Sequence, residues 1–130
     1  MLPKSLSQGE HFEISQITNY AIKVTFKGFL KVTDLTTLTT FLDTYSKDSQ
    51  VDLLLVDRSG LKVLSKEVQV HLANTISIVS RKGFKRIAII EAEDIFAKAG
   101  LDKLQREAKR DEVTRELFHS EKAALEWLLS

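Results

Sequence analysis

Between Phe12 and Phe26 apolar and polar residues alternate. Phe12 and Ile14, then Tyr20, Ile22, Val24 and Phe26, are interleaved with Glu13, Ala21, Lys23 and Thr25. A period of two marks strands with one buried face, and the polar gap over residues 16–19 suits a hairpin. From Thr33 the period lengthens: Leu35, Leu38, Phe41, Leu42 and Tyr45 recur at helical spacing, with Thr33 placed to cap the first turn and Asp34 to favour its dipole. The opposite face carries Thr36, Thr37, Thr39, Thr40 and Thr44, which are poor helix formers, so packing of the apolar stripe has to hold this helix.

Residues 51–57 (VDLLLVD) and 86–91 (RIAIIE) are short, almost continuous apolar runs, the pattern of central strands covered on both faces. Between them Ser65 is placed to cap a helix with the stripe Val68, Leu72, Thr75, Ile76 and Val79. Its end carries Arg81 and Lys82 for the dipole, Gly83 for a left-handed cap and Phe84 to fold back over it. A third helix is predicted from about Asp94, with Phe96, Ala97, Gly100, Leu101, Leu104 and Ala108 on its apolar face and Gly100 allowing close approach to the sheet. Residues 113–118 alternate like an edge strand. Ser120 then starts a final helix expected to bury Ala123, Ala124, Trp127 and Leu128. Turns are expected at residues 46–50, 58–60 and 81–83, where Ser, Asp and Gly cluster.

The predicted order is ββαβαβαβα. Alternating units of this kind imply an α/β domain whose five-stranded sheet is parallel apart from an antiparallel first strand, with right-handed crossovers. Residues 1–130 show no linker, low-complexity segment or fixed-period repeat, so one domain is expected.

Composition narrows the function more than it names one. Nineteen Lys and Arg against eighteen Asp and Glu leave a net charge of +1, so no global field draws the chain to nucleic acid or anionic lipid. Without cysteine there is no disulfide, no Cys nucleophile and no thiolate metal site. The apolar runs are too short to span a bilayer, and the polar start MLPKSLSQGEHFE does not read as a signal peptide, so a cytoplasmic location is expected. His11, His71 and His119 stand at no metal-site spacing, and the glycines form no phosphate loop. The basic run Arg81, Lys82, Lys85 and Arg86 is explained by the helix end, so no nucleic-acid partner is expected.

Acids do gather where open α/β sheets bind ligands, at the carboxyl ends of strands: Asp57, then Glu91, Glu93 and Asp94. A response-regulator receiver would need paired acids after the first strand, Ser or Thr after the fourth and Lys after the fifth. Here the corresponding residues are Ser15 and Gln16, Glu91, and Phe118 with His119. Asp57 is instead read as a turn acid that caps Ser59 or Gly60. With no nucleophile or base beside these acids, no catalytic residue, metal or cofactor is assigned, and the protein is read as non-enzymatic.

The leading pair with YAIKVTFKGFL, the segment VDLLLVDRSGL, the RIAII strand and the closing RELFHSEKAALEWL resemble the small bacterial SpoIIAA-like proteins, relatives of the STAS anti-sigma-factor antagonists. The resemblance runs from about residue 12 to 129. It rests most on the ending: Phe118, Glu121, Ala123, Ala124, Leu125, Glu126, Trp127 and Leu128. It implies a βα superhelix, shared with lipid-binding CRAL-TRIO domains, and a regulatory protein partner. Antagonists carry a phosphorylatable Ser at the start of the helix after the VDLLLVD-type strand. Lys66 falls at that position here and Ser65 precedes it, so no phosphorylation is expected and Ser65 reads as a cap.

If three helices follow the crossovers onto one face, the second apolar face of the central strands needs a cover. The chain itself, a second subunit or an apolar ligand would each serve. Val70 and Ile95 fall off the core stripes, Phe29 and Leu30 follow Gly28 in a loop, and together with Ile78 they suit the rim of an interface or pocket. The reading is a non-enzymatic STAS-like binding module acting through protein contacts, expected to be a homodimer and without stable membrane insertion. The alternative is a carrier or sensor of a small apolar, lipid-like ligand between sheet and helices, touching Phe29, Ile95 and Phe96 with Asp57 and Ser59 nearby.

Overall fold

The computed structural model describes residues 4–48, 50–80, 83–107 and 114–130. In chain order the elements are β1 (Lys4–Gln8), β2 (Phe12–Thr18), β3 (Ala21–Gly28), α1 (Val32–Asp48), β4 (Leu53–Leu61), α2 (Lys66–Ser80), β5 (Arg86–Ile90), α3 (Ile95–Glu107), β6 (Thr114–Phe118) and α4 (Glu121–Leu128). The described strands form one six-stranded sheet in sequence order. β1, β2 and β3 pair antiparallel, and every later pair is parallel. The α/β architecture is the one expected, with one strand added at the antiparallel edge. Periodicity missed β1 because Leu6, its one apolar residue, stands between Ser5 and Ser7; Leu6 nevertheless packs on the core.

Helix capping follows the sequence at three of four starts. Ser65 Oγ accepts from Val68 N–H at 3.1 Å, Asp94 Oδ1 accepts from Ala97 N–H at 3.0 Å, and Ser120 Oγ accepts from Ala123 N–H at 3.2 Å. α1 differs. It begins at Val32, so Thr33 lies inside the first turn, and Asp34 reaches back to the Lys31 N–H at 2.9 Å. Phe84 is buried after Gly83, whose φ of 81° is the left-handed conformation expected of a helix end. Arg81, Lys82, Ala108 and Val113 lie outside the described residues.

Leu54 and Leu55 are 2% and 0% exposed although they point to opposite faces of β4. Leu54 and Ile87 belong to the main cluster with Leu38 and Leu42 of α1, Leu72 of α2 and Leu101 of α3. Leu55, Ala88 and Ile90 form a second cluster with Ala124 and Leu128 of α4. The chain therefore covers its own second face, and α4 removes the ground on which a second subunit was expected there.

Burial of α4 differs in detail from the expectation. Ala124 and Leu128 are fully buried, Ala123 is exposed and Trp127 is half-buried. Trp127 leans on Phe118 with centroids 5.6 Å apart, and the Arg86 guanidinium lies 5.9 Å from its ring. Among the described residues no helix is long and apolar enough to cross a membrane.

Leu128→Ala should destabilise the protein by about 2–5 kcal/mol in urea melts, and Trp127→Ala by a smaller ~1–3 kcal/mol because part of its ring is already in solvent. A Leu128→Ala loss under about 1 kcal/mol would show that α4 does not hold the second face. Ser65→Ala should cost about 1 kcal/mol, whereas Ser65→Asp should be nearly neutral because Asp also caps.

Candidate functional site: a cavity beneath three helices

The site begins with an irregularity in β4. β3 and β4 pair in step from Ala21 with Leu53 to Thr25 with Asp57, after which Lys27 pairs with Gly60. β4 thus holds one residue more than β3 over this stretch, which is a β-bulge. Asp57 Oδ1 accepts hydrogen bonds from the Ser59 N–H at 3.0 Å and the Ser59 hydroxyl at 2.7 Å, occupying the backbone donor that the broken register displaces. Gly60 is needed beside it, since a Cβ there would sit 3.1 Å from the Phe26 carbonyl oxygen. The turn expected at residues 58–60 is this bulge, and the strand continues to Leu61. The predicted Asp57–Ser59 bond is present.

Under α1, α2 and α3 lies a partly open cavity of about 110 Å³. Its floor is Val24, Val56, Ile87 and Ile89 of the sheet; Leu38, Leu72, Ile76 and Leu104 of the helices line the opposite side. Among the described residues three of the lining are polar: Thr75, Arg58 and Arg115. Thr75 is satisfied, because its hydroxyl donates to the His71 carbonyl at 3.1 Å and meets the Thr39 hydroxyl at 2.9 Å.

Arg58 is not satisfied in the same way. Its Nε is buried and has no hydrogen-bond partner among the described residues. Burial pushes the Arg58 guanidinium below its ordinary pKa, and the charges of Glu91 and Asp102 oppose that shift. A guanidinium stays protonated in proteins, so the apolar cavity contains a fixed positive charge.

None of the ligand residues expected from the sequence lines this cavity. Phe29, Ile95 and Phe96 are 62%, 73% and 67% exposed. Phe96 was placed on the apolar face of its helix, but the buried line of α3 runs through Ala97, Leu101 and Leu104. Its N–H bonds to Asp94 in the opening turn, leaving the ring about 100° off that line. Asp57 and Ser59 flank Arg58 in sequence and point to the opposite sheet face, where Lys23 Nζ lies 3.9 Å from Asp57. Gly100 faces Gln69 and Leu64 rather than the sheet.

Four of the exposed apolar residues, Phe29, Val63, Ile95 and Phe96, follow the carboxyl ends of β3, β4 and β5. Phe29 and Val63 follow Gly28 and Lys62, which are joined by an N–H···O=C bond of 2.9 Å. Glu93, two residues before Ile95, donates to the Ser59 carbonyl at 3.3 Å. Leu30, read with Phe29 as a loop residue, is buried. Val70 is exposed, and Ile78 is half-buried.

Asp57, Glu91 and Asp94 at this end of the sheet each have a local structural role. Glu91 pairs with His119 at 3.3 Å and Lys98 at 3.6 Å, and Asp94 caps α3. His11 meets the buried Asp34 at 2.9 Å, which ties the β2 entrance to the start of α1. Among the described residues no group of three or more His, Asp or Glu could hold a metal ion. Lys85 pairs with Asp52 at 3.3 Å, and Arg86 bonds to the end of α4.

Arg58, Thr75 and Arg115 were missed as site residues. Arg58 stood inside a predicted turn, Thr75 was read as part of a core stripe, and Arg115 as one polar residue of an alternating edge strand. No sequence signal distinguishes a buried arginine from a solvated one.

No protein-family model matches the chain, and no curated protein matches it. Among solved structures it is similar to an uncharacterised DUF3478-family protein with a SpoIIAA-like fold from Shewanella loihica, at 22% identity and a TM-score of 0.63 over 95% of this chain and 98% of that one. Identity that low speaks for architecture alone. The sequential strand order, the parallel crossovers and this likeness agree: the chain has a SpoIIAA-like βα fold.

Proposed function

We propose that the protein is a non-enzymatic binding module that carries or senses a small apolar ligand between the sheet and helices α1–α3. The observation that carries this reading is the cavity of about 110 Å³. An unfilled space of that size forfeits about 2–3 kcal/mol at roughly 24 cal/mol per Å³, a large share of a domain's net stability. Larger side chains at Val56 or Thr75 would recover part of it. A ligand recovers the same contacts without altering the chain. The volume suits a single ring or a short branched chain, smaller than the lipid-like ligand suggested by the family resemblance.

A second reading, contact with protein partners beginning with a second copy of this chain, is favoured by Phe29, Val63, Ile95 and Phe96, exposed after the carboxyl ends of β3, β4 and β5. Burial of apolar area drives such contact, and a net charge of +1 opposes it little.

Benzyl alcohol, a neutral one-ring probe, should bind the full chain saturably with a Kd on the order of 1 mM or tighter, read from amide shifts around the cavity. Val56→Phe should abolish this binding while circular dichroism shows the fold retained. Absence of saturable binding to the unaltered chain would sink the ligand reading. For the second reading, sedimentation at micromolar concentration should show a dimer that high salt preserves or tightens, and Phe96→Glu should return it to monomer. A monomer in both low and high salt would end it.

A further inference from the structure

We infer that the ligand taken by this cavity is a small organic anion, a one-ring or short branched carboxylate, whose charged end is received by the Arg58 guanidinium. This deepens the ligand-binding reading above and rests on it, by naming the chemical class that the site accepts.

The apolar walls set the body of the ligand. At about 110 Å³ the cavity is somewhat smaller than the ~150 Å³ apolar cavity known to admit benzene, so its enclosed part is a ring or a chain of comparable bulk. Arg58 sets the other end. Its Nε–H is a buried donor without a partner among the described residues, and an unmade hydrogen bond in apolar surroundings carries a standing cost. A carboxylate oxygen would satisfy that donor, and the planar guanidinium fork fits a carboxylate's two oxygens.

The charges nearby leave room for an anion. Glu91 and Asp102 act favourably on Arg58, yet they do not overcome its desolvation. Glu91 is also engaged by Lys98 at 3.6 Å. A packing role does not explain a cation here, since an apolar residue of similar length would fill the position without the cost of a buried charge. The bulge between Asp57 and Gly60 matters as well. Alternation along β4 sets Arg58 on the cavity face with Leu54 and Val56, and the bulge after it returns Leu61 to that face while Asp57 and Ser59 bond to each other.

Benzoate and benzyl alcohol share a ring and differ in charge at neutral pH. Titrated into the full-length chain and followed by amide shifts, benzoate should bind about tenfold more tightly or better, the scale of one charge-assisted hydrogen bond. Arg58→Met should weaken benzoate by about the same factor and leave benzyl alcohol within about threefold. This variant should melt no lower than the unaltered chain, because an apolar residue replaces a buried charge. If it fails to fold, the benzoate-to-alcohol ratio on the unaltered chain still decides the matter. Equal affinities would overturn the anion inference and leave the ligand reading standing, whereas binding of neither probe would overturn both. A benzoate preference that survives Arg58→Met would overturn the assignment to Arg58.

Discussion

Leu54 and Leu55 are neighbours in the chain, point to opposite faces of the sheet and are both withheld from water. The same holds for Ile87 and Ala88 on the next strand. A sheet whose central strands are apolar on both sides cannot stand with helices on one side only, because several hundred Å² of apolar surface would remain in water. Right-handed crossovers between sequentially ordered strands place α1, α2 and α3 together. That leaves α4 to close the other side. It is a helix of eight residues, too short to be stable by itself. Arg86 holds its end by donating to the Trp127 and Ser130 carbonyl oxygens at 2.9 Å each, alongside the Ser130 hydroxyl that also donates to Trp127 at 2.8 Å. Lys23 on β3 pairs with Glu121 at its start.

The two faces are packed by different elements. Beneath α4 lies the small cluster of Leu55, Ala88, Ile90, Ala124 and Leu128. Beneath the three larger helices the floor of β-branched Val24, Val56, Ile87 and Ile89 leaves a gap that no side chain of the described residues fills. Interiors are ordinarily packed as densely as organic crystals, so an apolar gap coinciding with a buried Arg58 Nε–H that has no partner among the described residues is two departures from the rule at one place. Sites that depart from local consistency are where function is expected to have shaped the chain.

Most of the fold was legible because periodicity and caps report burial and helix starts directly. The runs around Leu54 and Ile89 read as doubly covered strands, and Ser65 and Ser120 marked their helices. The failures have physical causes. β1 offers Leu6 alone as an apolar signal. The Arg58–Gly60 stretch has the composition of a turn, and a bulge uses the same residues for a related purpose, to satisfy backbone where a regular ladder breaks. Phe96 and Ala123 have helical spacing, but period alone does not reveal where the sheet beneath a helix ends. For the candidate site, the sequence pointed to the segment around Asp57 and Ser59, read both as a turn cap and as neighbours of a ligand. Asp57 bonds to the Ser59 N–H and hydroxyl, and Arg58 between them lines the cavity.

That exchange of roles also bears on what the groups at this end of the sheet are free to do. Acid–base or nucleophilic chemistry needs a reactive group held within hydrogen-bond reach of a base or acid, with both facing a reactant. Asp57 is committed to Ser59, Glu91 to Lys98 and His119, and Asp94 to the first turn of α3. The cavity itself offers methyl and methylene groups, a hydroxyl already satisfied and the guanidinium groups of Arg58 and Arg115. Such a lining can exclude water, match a shape and meet an anionic group, which are the requirements of selective binding.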